Sequence, residues 1–363
     1  MTQDDLFARV RSAIDAIATG AMVVVTDDDD RENEGDLIYA ASHATPEKLA
    51  FTIRHTSGIV CTPLTSAEAR RLNLNPMVAI NDAPMHTAFT VSVDVRHGTT
   101  TGISAEDRTN TVRALANGNV GASDFVRPGH VFPLIAREGG VLMRSGHTEA
   151  AVDLCTLAGQ PPVGVIAELV NDDGSVMRGP QVAAFAEAHG LLRISVADLI
   201  AYRQAREKLV TRVSEFLVPT EIGTMRGYSY ITPFDEVHHL ALVHGDLGSG
   251  RGVSARLHRA DALTDVFGGA RSIREAFRVF KEQGRGVLVY LRDGAVGVPV
   301  HAPGDPESTE AKRDQLWREV GLGAQILRDL SVSSIRLLAS RERHYVGLTG
   351  FGIDIEATDI IEG

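Results

Sequence analysis

The chain of 363 residues is poor in cysteine, with only Cys61 and Cys155. Two cysteines give neither a disulfide framework nor a four-cysteine zinc site, and they fit a reducing compartment. No apolar stretch approaches the roughly 18 residues that a membrane-spanning helix needs. The N-terminus, residues 1–10, carries charged residues and lacks the apolar segment of a signal peptide. We therefore expect a cytoplasmic protein.

Basic residues are fewer than acidic ones, so the formal net charge is −11 and the isoelectric point is about 5.6. Nucleic acids and anionic membranes bind through a basic field, so neither is expected as a main partner. Hydrophobic residues make up 44% of the chain, which is ample for two cores. Because 363 residues exceed the usual size of a single core, the composition predicts two domains.

Acidic residues are concentrated in the segment Asp27 to Asp36, where seven of ten residues are acids. The segment follows an apolar run, Ala21 to Thr26, with the character of a strand. In extended backbone, Glu32, Glu34 and Asp36 share one face, and a cation, hydrogen-bond partners or water must relieve their repulsion. Mg²⁺ prefers such oxygen ligands. The alternative is a solvated surface loop, although the non-acidic residues inserted between the acids favour a segment held in place.

Three further segments carry groups typical of catalysis. Arg144 to Glu149 is predicted to begin a helix whose N–H groups, arginine and hydroxyl suit a phosphate, unless Thr148 and Glu149 are only a helix cap. His130 lies in Arg127 to Pro133, which is rich in proline and glycine and is predicted to be a shaped loop. Glu168 is a single acid in an apolar strand, where it needs a raised pKa or a partner unless it faces outward. A metal site, a phosphate site and two proton-transfer groups together suit the enolisation of a sugar phosphate.

The hydrophobic periodicity predicts interleaved helices and strands. Helices are predicted over Leu6–Ile17, Pro46–Ile53, Ala105–Ala116, Gly146–Ala158, Gln181–His189, Val196–Leu209, Ser272–Gln283 and Gly323–Leu330. Strands are predicted over Met22–Val25, Gly58–Cys61, Phe89–Val95, Val163–Val170, Leu191–Ser195, Leu217–Pro219, Ile231–Phe234 and Val237–Val243. A flexible loop is predicted over His301–Glu310.

Long motifs of the first part resemble 3,4-dihydroxy-2-butanone 4-phosphate synthase of riboflavin biosynthesis. They are Asp28–Ala41, Arg54–Cys61, Thr87–Asp94, Thr101–Arg113, Arg127–Pro133 and Gly139–Asp153. The resemblance extends over residues 1–205 and implies an α+β, mixed-sheet synthase fold. It also implies a lyase that converts D-ribulose 5-phosphate to L-3,4-dihydroxy-2-butanone 4-phosphate and formate. Mg²⁺ or Mn²⁺ is the implied cofactor, and a homodimer with sites at the subunit interface is the implied assembly.

The resemblance also assigns site residues. Glu32 and His147 are the implied metal ligands. His130 and Glu168 match two positions that the family treats as essential, and Asp36 completes the expected catalytic set. The implied substrate contacts are Arg31, Glu32, Asp36, Arg144, Ser145, Gly146, His147 and Thr148. Which group moves which proton stays open, and a buried structural role is expected for Cys61.

The second part, residues 213–363, resembles an α/β GTP cyclohydrolase II domain. The likeness lies in Leu240–Asp246, Asp265–Gly268, Gly284–Val287, Gly323–Leu327 and Arg336–Leu338.

The zinc ligands of that family are missing from the second part. Where the family has three cysteines, this chain has Asp261, Ser272 and Arg274. A serine is a poor zinc ligand and an arginine is none. The family's Glu-Gly-Arg-Gly loop is replaced by Asp293–Gly297. Arg318 aligns with an arginine that the family uses near the GTP phosphates, whereas Leu316 replaces the acid two residues before it. We expect no zinc and an inactive, degenerate domain with a role in stability, dimer contacts or regulation.

Three alternatives remain. The chain is bifunctional if zinc finds other ligands. The second domain is a nucleotide sensor if its arginines bind phosphate, whereas the alternative for them is a solvated face. These arginines are Arg251, Arg256, Arg259, Arg271, Arg274 and Arg278. A chain without any activity is disfavoured, because the four residues Glu32, His130, His147 and Glu168 are all intact.

Overall fold

The computed structural model describes residues 3–27, 33–83, 85, 87–208, 210–233, 235–292, 321–340 and 353–361. The chain divides into two units between Tyr202 and Arg203. The described strands of each unit form one seven-stranded sheet with parallel and antiparallel pairs. The predicted α+β class with mixed sheets is therefore confirmed. None of the described helices is long and apolar enough to span a membrane.

Helices and strands alternate along the first unit, as the periodicity predicts. Its helices are α1 (Gln3–Ala18), α2 (Pro46–His55), α3 (Ser66–Arg71), α4 (Ala105–Leu115), α5 (His147–Leu157), α6 (Pro180–Ala188) and α7 (Val196–Arg206), which crosses into the second unit. Its strands are β1 (Val23–Thr26), β2 (Gly35–Ala40), β3 (Cys61–Leu64), β4 (Val93–Val95), β5 (Phe125–Ile135), β6 (Gly164–Glu168) and β7 (Leu192–Ser195).

The first sheet has the strand order β4-β5-β3-β6-β2-β1-β7. Strand β1 runs parallel to β7 and β3 runs parallel to β5, whereas the other neighbours are antiparallel. All six residues of β2 are buried, which requires cover on both faces of the sheet. Strands β2 and β6 therefore lie in the interior of the sheet, where they position the side chains at their ends.

Local sequence signals account for the helix starts. The Thr45 hydroxyl accepts a hydrogen bond from the Lys48 N–H, and Pro46 occupies the first turn of α2. The Ser104 hydroxyl likewise accepts from the Asp107 N–H at the start of α4. These caps explain why both helices begin where the sequence predicts.

The predicted loop over Arg127–Pro133 is wrong, because these residues belong to strand β5. Val93 pairs with Val131, but the next residue, Asp94, pairs with Val126. Residues 127–130 therefore bulge from the ladder, and a bulge tolerates proline and glycine inside a strand. The strand predicted over Gly58–Cys61 is displaced, since β3 begins only at Cys61.

The second unit joins an antiparallel half-sheet to a parallel one, in the order β14-β13-β11-β12-β10-β9-β8. Its described strands are β8 (Thr211–Thr220), β9 (Gly223–Thr232), β10 (Asp235–His244), β11 (Val253–Arg259), β12 (Gly286–Leu291), β13 (Ser334–Ala339) and β14 (Asp354–Ile360). Helix α8 (Arg271–Gln283) buries Phe277 and Phe280, and a further helix covers residues 321–329. The strand predicted over Ile231–Phe234 is wrong in extent, because β9 ends at Thr232 and Phe234 lies outside the described residues.

Candidate functional site

Two acids from distant parts of the sequence face each other across the centre of the first sheet. Strands β2 and β6 are antiparallel, and their register sets Asp36 opposite Glu168. Side chains of directly opposed residues lie on the same face, and two like charges so placed repel each other. Cys61 pairs with Ile166, two residues before Glu168 on β6. Burial, followed by Glu168 and Asp36, raises the pKa of the Cys61 thiol, which places both acids near a buried, protonated sulfur.

His147 is the first residue of α5 and lies beside Asp36. Its Nδ1 is 3.6 Å from Asp36 Oδ1, and its Nε2 is 3.1 Å from the Val25 carbonyl oxygen. A carbonyl oxygen only accepts, so Nε2 carries a proton and donates it. In the neutral ring, Nδ1 then presents its lone pair toward Asp36, the orientation that a metal-binding histidine requires.

Glu168 is half-buried and has a partner, as a charged group at the end of a buried strand requires. The Ser57 hydroxyl donates to Glu168 Oε2 at 2.8 Å. The Ser57 N–H also donates to the Glu168 carbonyl oxygen at 2.8 Å. The segment before β3 therefore orients the carboxylate, and Ser57 is a site contact that the sequence reasoning missed.

At the start of α5, the alternative in which Thr148 is only a helix cap is wrong. The helix is preceded by Gly146 without a side-chain cap, so Thr148 is already the second helical residue and does not cap it. Ser145 and Thr148 are buried. The N–H groups of the first turn, with these hydroxyls, keep the character of an anion site.

Arg144 is held against this helix start by Glu149. The Arg144 Nη1 donates to Glu149 Oε2 at 2.8 Å, and its Nη2 donates to the Met85 carbonyl oxygen at 3.1 Å. Glu149 Oε1 accepts from the Arg137 N–H at 2.9 Å. Burial raises the pKa of Glu149, and Arg144 with the Arg137 N–H opposes that rise. The cap predicted for Glu149 is thus replaced by a buried ion pair that fixes the arginine.

His130 projects from the bulge of β5 toward an acid that the sequence reasoning did not single out. Asp94 Oδ2 lies 2.7 Å from His130 Nδ1, and Asp94 Oδ1 accepts from the His130 N–H at 2.8 Å. The one signal for Asp94 in the sequence is its place at the end of an alternating strand, Thr90 to Val95. That pattern normally indicates a solvent-facing residue, whereas Asp94 is buried.

The acidic run contributes unequally to this site. The Glu34 N–H donates to Asp27 Oδ1 at 2.8 Å and closes the connection between β1 and β2. The Glu34 carboxylate lies 3.4 Å from Arg178 Nη2, so it is neutralised away from Asp36. Arg31 and Glu32, the remaining predicted contacts of the run, lie outside the described residues.

In the second unit, Asp261, which stands where the family has a zinc ligand, and the nearby Asp265 serve the local fold. Asp261 Oδ1 accepts from the N–H groups of Leu263 and Thr264 at 3.0 and 3.3 Å. Asp265 Oδ1 lies 2.8 Å from His258 Nε2, and Asp265 Oδ2 accepts from the Tyr290 hydroxyl at 2.6 Å. Burial lowers the pKa of His258, and burial with the bond to Asp265 raises the pKa of Tyr290.

His258, Asp265 and Tyr290 thus form a hydrogen-bonded cluster next to Asp261, whose N–H donates to Asp265 Oδ2 at 3.0 Å. Arg274 Nε is 3.9 Å from Glu221 Oε2, and Ser272 lies in α8. Among the described residues of either unit, no three His, Cys, Asp or Glu side chains are grouped to hold a metal.

The arginines that motivate the nucleotide-sensor alternative do not all lie on one exposed surface. Arg256 is buried and donates to the Leu338 carbonyl and the Ser340 hydroxyl. Arg278 is paired with Glu275 and Glu282 on α8. The solvated-face interpretation is therefore wrong for Arg256, which ties β11 to β13. Arg318, Leu316 and Asp293–Gly297 lie outside the described residues.

The chain matches two protein families. The family described as 3,4-dihydroxy-2-butanone 4-phosphate synthase matches residues 11–202, and GTP cyclohydrolase II matches residues 211–359.

Two relatives from Arabidopsis thaliana differ in the activity that their names state. The monofunctional riboflavin biosynthesis protein RIBA 2 is 46% identical over 97% of this chain and 76% of the relative. The bifunctional riboflavin biosynthesis protein RIBA 1 is 45% identical over 96% of this chain and 68% of the relative. Overall identity thus does not decide between one activity and two.

Solved structures share the fold. The crystal structure of RibBX, a two-domain 3,4-dihydroxy-2-butanone 4-phosphate synthase from A. baumannii, is 36% identical with a TM-score of 0.82, and the match covers 96% of this chain and 99% of that one. A 3,4-dihydroxy-2-butanone 4-phosphate synthase in complex with two magnesium ions is 46% identical with a TM-score of 0.53, over 54% of this chain and 97% of that one.

Proposed function

Because the chain belongs to the 3,4-dihydroxy-2-butanone 4-phosphate synthase family, we propose that residues 1–205 convert D-ribulose 5-phosphate to L-3,4-dihydroxy-2-butanone 4-phosphate and formate. The observation that carries this proposal is the opposition of Asp36 and Glu168 beside His147 and the start of α5. Two acids, an imidazole and an anion site then converge on a single substrate, as deprotonation next to a carbonyl requires.

The substrate phosphate binds at the start of α5. The N–H groups of the first turn, the hydroxyls of Ser145 and Thr148, and the guanidinium of Arg144 form the phosphate site with Gly146 and His147. The buried Glu149 keeps Arg144 in place. Arg31, Glu32 and Asp36 complete the proposed substrate contacts.

The proposed cofactor is a magnesium or manganese ion. His147 presents Nδ1 toward Asp36, and the opposed carboxylates of Asp36 and Glu168 create the negative field that attracts a divalent cation. Glu32 and His147 would hold the ion. When bound, the ion stabilises the negative charge that develops on the substrate oxygens.

Glu168, His130 and Asp36 carry the proton transfers. A base among them removes the proton at C3 of the substrate, which gives an enediolate. The C1 hydroxyl then leaves with a proton as water, a 1,2 shift of carbon follows, and a water adds to C4 before the C–C bond breaks and C4 leaves as formate. The Ser57 hydroxyl holds the Glu168 carboxylate at the end of β6 throughout.

The test is formate release from D-ribulose 5-phosphate, measured with and without EDTA. We expect turnover that EDTA abolishes and that Mg²⁺ restores. Glu32→Gln should abolish Mg²⁺-dependent turnover and leave the fold intact. The matched control is Glu34→Gln, whose carboxylate pairs with Arg178 and which should keep most of the activity. Unchanged turnover in Glu32→Gln would refute its role as a metal ligand.

A homodimer with the sites at its interface is part of the proposal. Ile59 and Ile103, which flank the site segments, are 50% and 52% exposed, and Ile80 is 83% exposed. Large apolar side chains so placed support cover by a second subunit. Light scattering should give twice the chain mass, and a monomer with full activity would refute this assembly.

We propose that the second domain, residues 213–363, is a degenerate GTP cyclohydrolase II domain without zinc. The carboxylate of Asp261 holds the turn that follows it, and Ser272 and Arg274 are unsuited to zinc. Relatives that are named bifunctional support the alternative that this chain also has GTP cyclohydrolase II activity. Stoichiometric zinc together with formate release from GTP would overturn the degenerate assignment. The sensor alternative predicts heat on titration with GTP, and the absence of binding would end it.

A further inference from the structure

Asp94 is a buried acid to which the proposed reaction gives no part, yet it contacts His130 with both carboxylate oxygens. Its Oδ1 accepts from the His130 N–H at 2.8 Å, and its Oδ2 lies 2.7 Å from His130 Nδ1. The Asp94 side chain is 9% exposed, whereas that of His130 is 41% exposed. The acid is therefore screened from water while the imidazole remains accessible to a substrate.

This contact determines which ring nitrogen carries the proton. An ionised carboxylate only accepts hydrogen bonds, so Nδ1 is the donor, and Nε2 of the neutral ring holds the lone pair. Nε2 lies on the side of the ring away from Asp94. We propose that Asp94 is a positioning residue that holds Nδ1 protonated and presents Nε2 of His130 to the substrate. This inference rests on the proposed synthase function, in which His130 transfers a proton.

Two glycines allow the pair to form. A Cβ on Gly129 would collide with the backbone of Val93 and Asp94, so only glycine lets the bulge of β5 pass this close to β4. Gly102 has a φ of +90°, and a Cβ there would strike the Asp94 carboxylate and His130 Nδ1. The pair is thus enclosed on both sides by backbone.

The turn that contains Gly102 is itself fixed. Asp107 accepts hydrogen bonds from the Thr100 N–H at 2.9 Å, the Thr100 hydroxyl at 2.8 Å and the Gly102 N–H at 3.0 Å. The first turn of α4 therefore holds Gly102 against the Asp94 and His130 side chains. The contacts of Gly102 and Asp107 thus fix the orientation of an exposed imidazole, which a purely structural surface histidine does not require.

A competing role for Asp94 is to balance the charge of the buried Arg108. Burial lowers the pKa of Arg108, and Tyr39 and Asp94 oppose that lowering. However, Arg108 Nη1 donates to the Gly58 carbonyl oxygen at 3.0 Å, whereas both described hydrogen bonds of the Asp94 carboxylate come from His130. A charge-balancing role predicts a loss of stability on substitution but no change of the His130 tautomer.

Asp94→Asn separates the two roles, because an amide has one acceptor oxygen in place of two. If that oxygen keeps the bond from the His130 N–H, the amide N–H₂ faces Nδ1, which must then accept. The imidazole would change to the tautomer with the proton on Nε2. We expect kcat to fall on the order of 10²-fold, with KM changed by less than about twofold. Asp94→Glu restores a carboxylate and should recover part of the loss.

The tautomer is read directly from ¹⁵N chemical shifts of ring-labelled histidine in the full-length protein. The His130 signal is assigned by its loss in His130→Gln. We expect the Nδ1–H form in the wild type and the Nε2–H form in Asp94→Asn. A wild-type Nε2–H form, or an unchanged kcat in a folded Asp94→Asn variant, would overturn the inference.

Two controls keep the outcomes distinct. Asp173→Asn removes an exposed carboxylate that accepts from Ser175, and it should change neither kcat nor the His130 tautomer. If Asp94→Asn does not fold, the wild-type tautomer still decides the assignment. A wild type that releases no formate from D-ribulose 5-phosphate contradicts the proposed function, whereas the tautomer measurement tests the Asp94 contact independently.

Discussion

Asp36 and Glu168 of the first domain differ from Asp265 of the second in how their charges are balanced. In the first, Asp36 and Glu168 are opposed on adjacent strands and Asp36 lies beside His147, so like charges are held close together near an imidazole. In the second, Asp265 satisfies His258 and Tyr290 with separate oxygens, and its charge stabilises local structure. Repulsion between like charges that the fold maintains indicates a bound cation, whereas the carboxylate of Asp265 is satisfied by hydrogen bonds within its own domain.

The largest expected effect distinguishes Glu168 of the first domain from Asp265 of the second. Glu168→Gln should lower kcat for formate release by roughly 10²- to 10⁴-fold, because it removes a proton-transfer group. The Ser57 hydroxyl can still donate to the amide oxygen, so the fold should persist. The measurement is formate release at saturating D-ribulose 5-phosphate.

Asp265→Asn is the matched change in the second domain. It should leave formate release unchanged and lower stability by about 1–3 kcal/mol, since one partner of a buried hydrogen-bonded acid is lost. Equal loss of activity in both variants would show that the second domain contributes to the synthase reaction, and the contrast between the domains would fail.

Short-range features of the fold were predictable from the sequence, and long-range ones were not. Pro46 and Ser104 mark helix starts because capping involves residues within one turn. The pairing of Asp36 with Glu168 depends on strand register, which no local pattern determines. Whether Thr148 caps α5 or lies within it was left open by the sequence, because the answer depends on where the helix begins, which is at His147.

Asp94 shows the same limit at the site. Alternation correctly places it on a strand, but its burial follows from the bulge of β5 and from Gly102, which approach from elsewhere in the sequence. Proline and glycine in Arg127–Pro133 indicate irregular backbone, and the structure contains it as a bulge within a strand. The resemblance to a known family supplied His130 and Glu168, whose isolated signals were weak.

A smaller effect is expected for Glu149, the buried acid that holds Arg144 at the start of α5. Glu149→Gln keeps an acceptor for the Arg137 N–H but removes the ion pair with Arg144. We expect KM for the substrate to rise roughly 10-fold as Arg144 loses its anchor. Stability should fall by about 3 kcal/mol, because a buried pair is broken on one side.

Steady-state kinetics and urea unfolding measure the two consequences of Glu149→Gln separately. The control is Glu138→Gln, an exposed acid that accepts from the Ser66 hydroxyl and should alter neither quantity appreciably. A lowered kcat with unchanged KM would contradict the phosphate-binding role of Arg144 and place Glu149 closer to the chemistry.

The smallest expected effect concerns Asp107, an acid of the first domain that, like Asp261 of the second, accepts hydrogen bonds from a turn. The Thr100 N–H and hydroxyl, with Gly102 and Ser104, hold the pKa of Asp107 below its ordinary value. A carboxyl group with a lowered folded pKa stabilises the protein above its unfolded pKa of about 3.9. That contribution is lost as the pH falls through the folded pKa.

Asp107→Asn should therefore lower the urea midpoint at neutral pH, and the difference from the wild type should shrink as the pH falls below about 3.9. Glu106→Gln, an exposed acid in the same helical turn, should stay close to the wild type at every pH. A difference that is constant with pH would show that shape, and not charge, is what Asp107 supplies. In that case the packing of the turn, and not the charge of Asp107, would keep Gly102 in contact with Asp94 and His130.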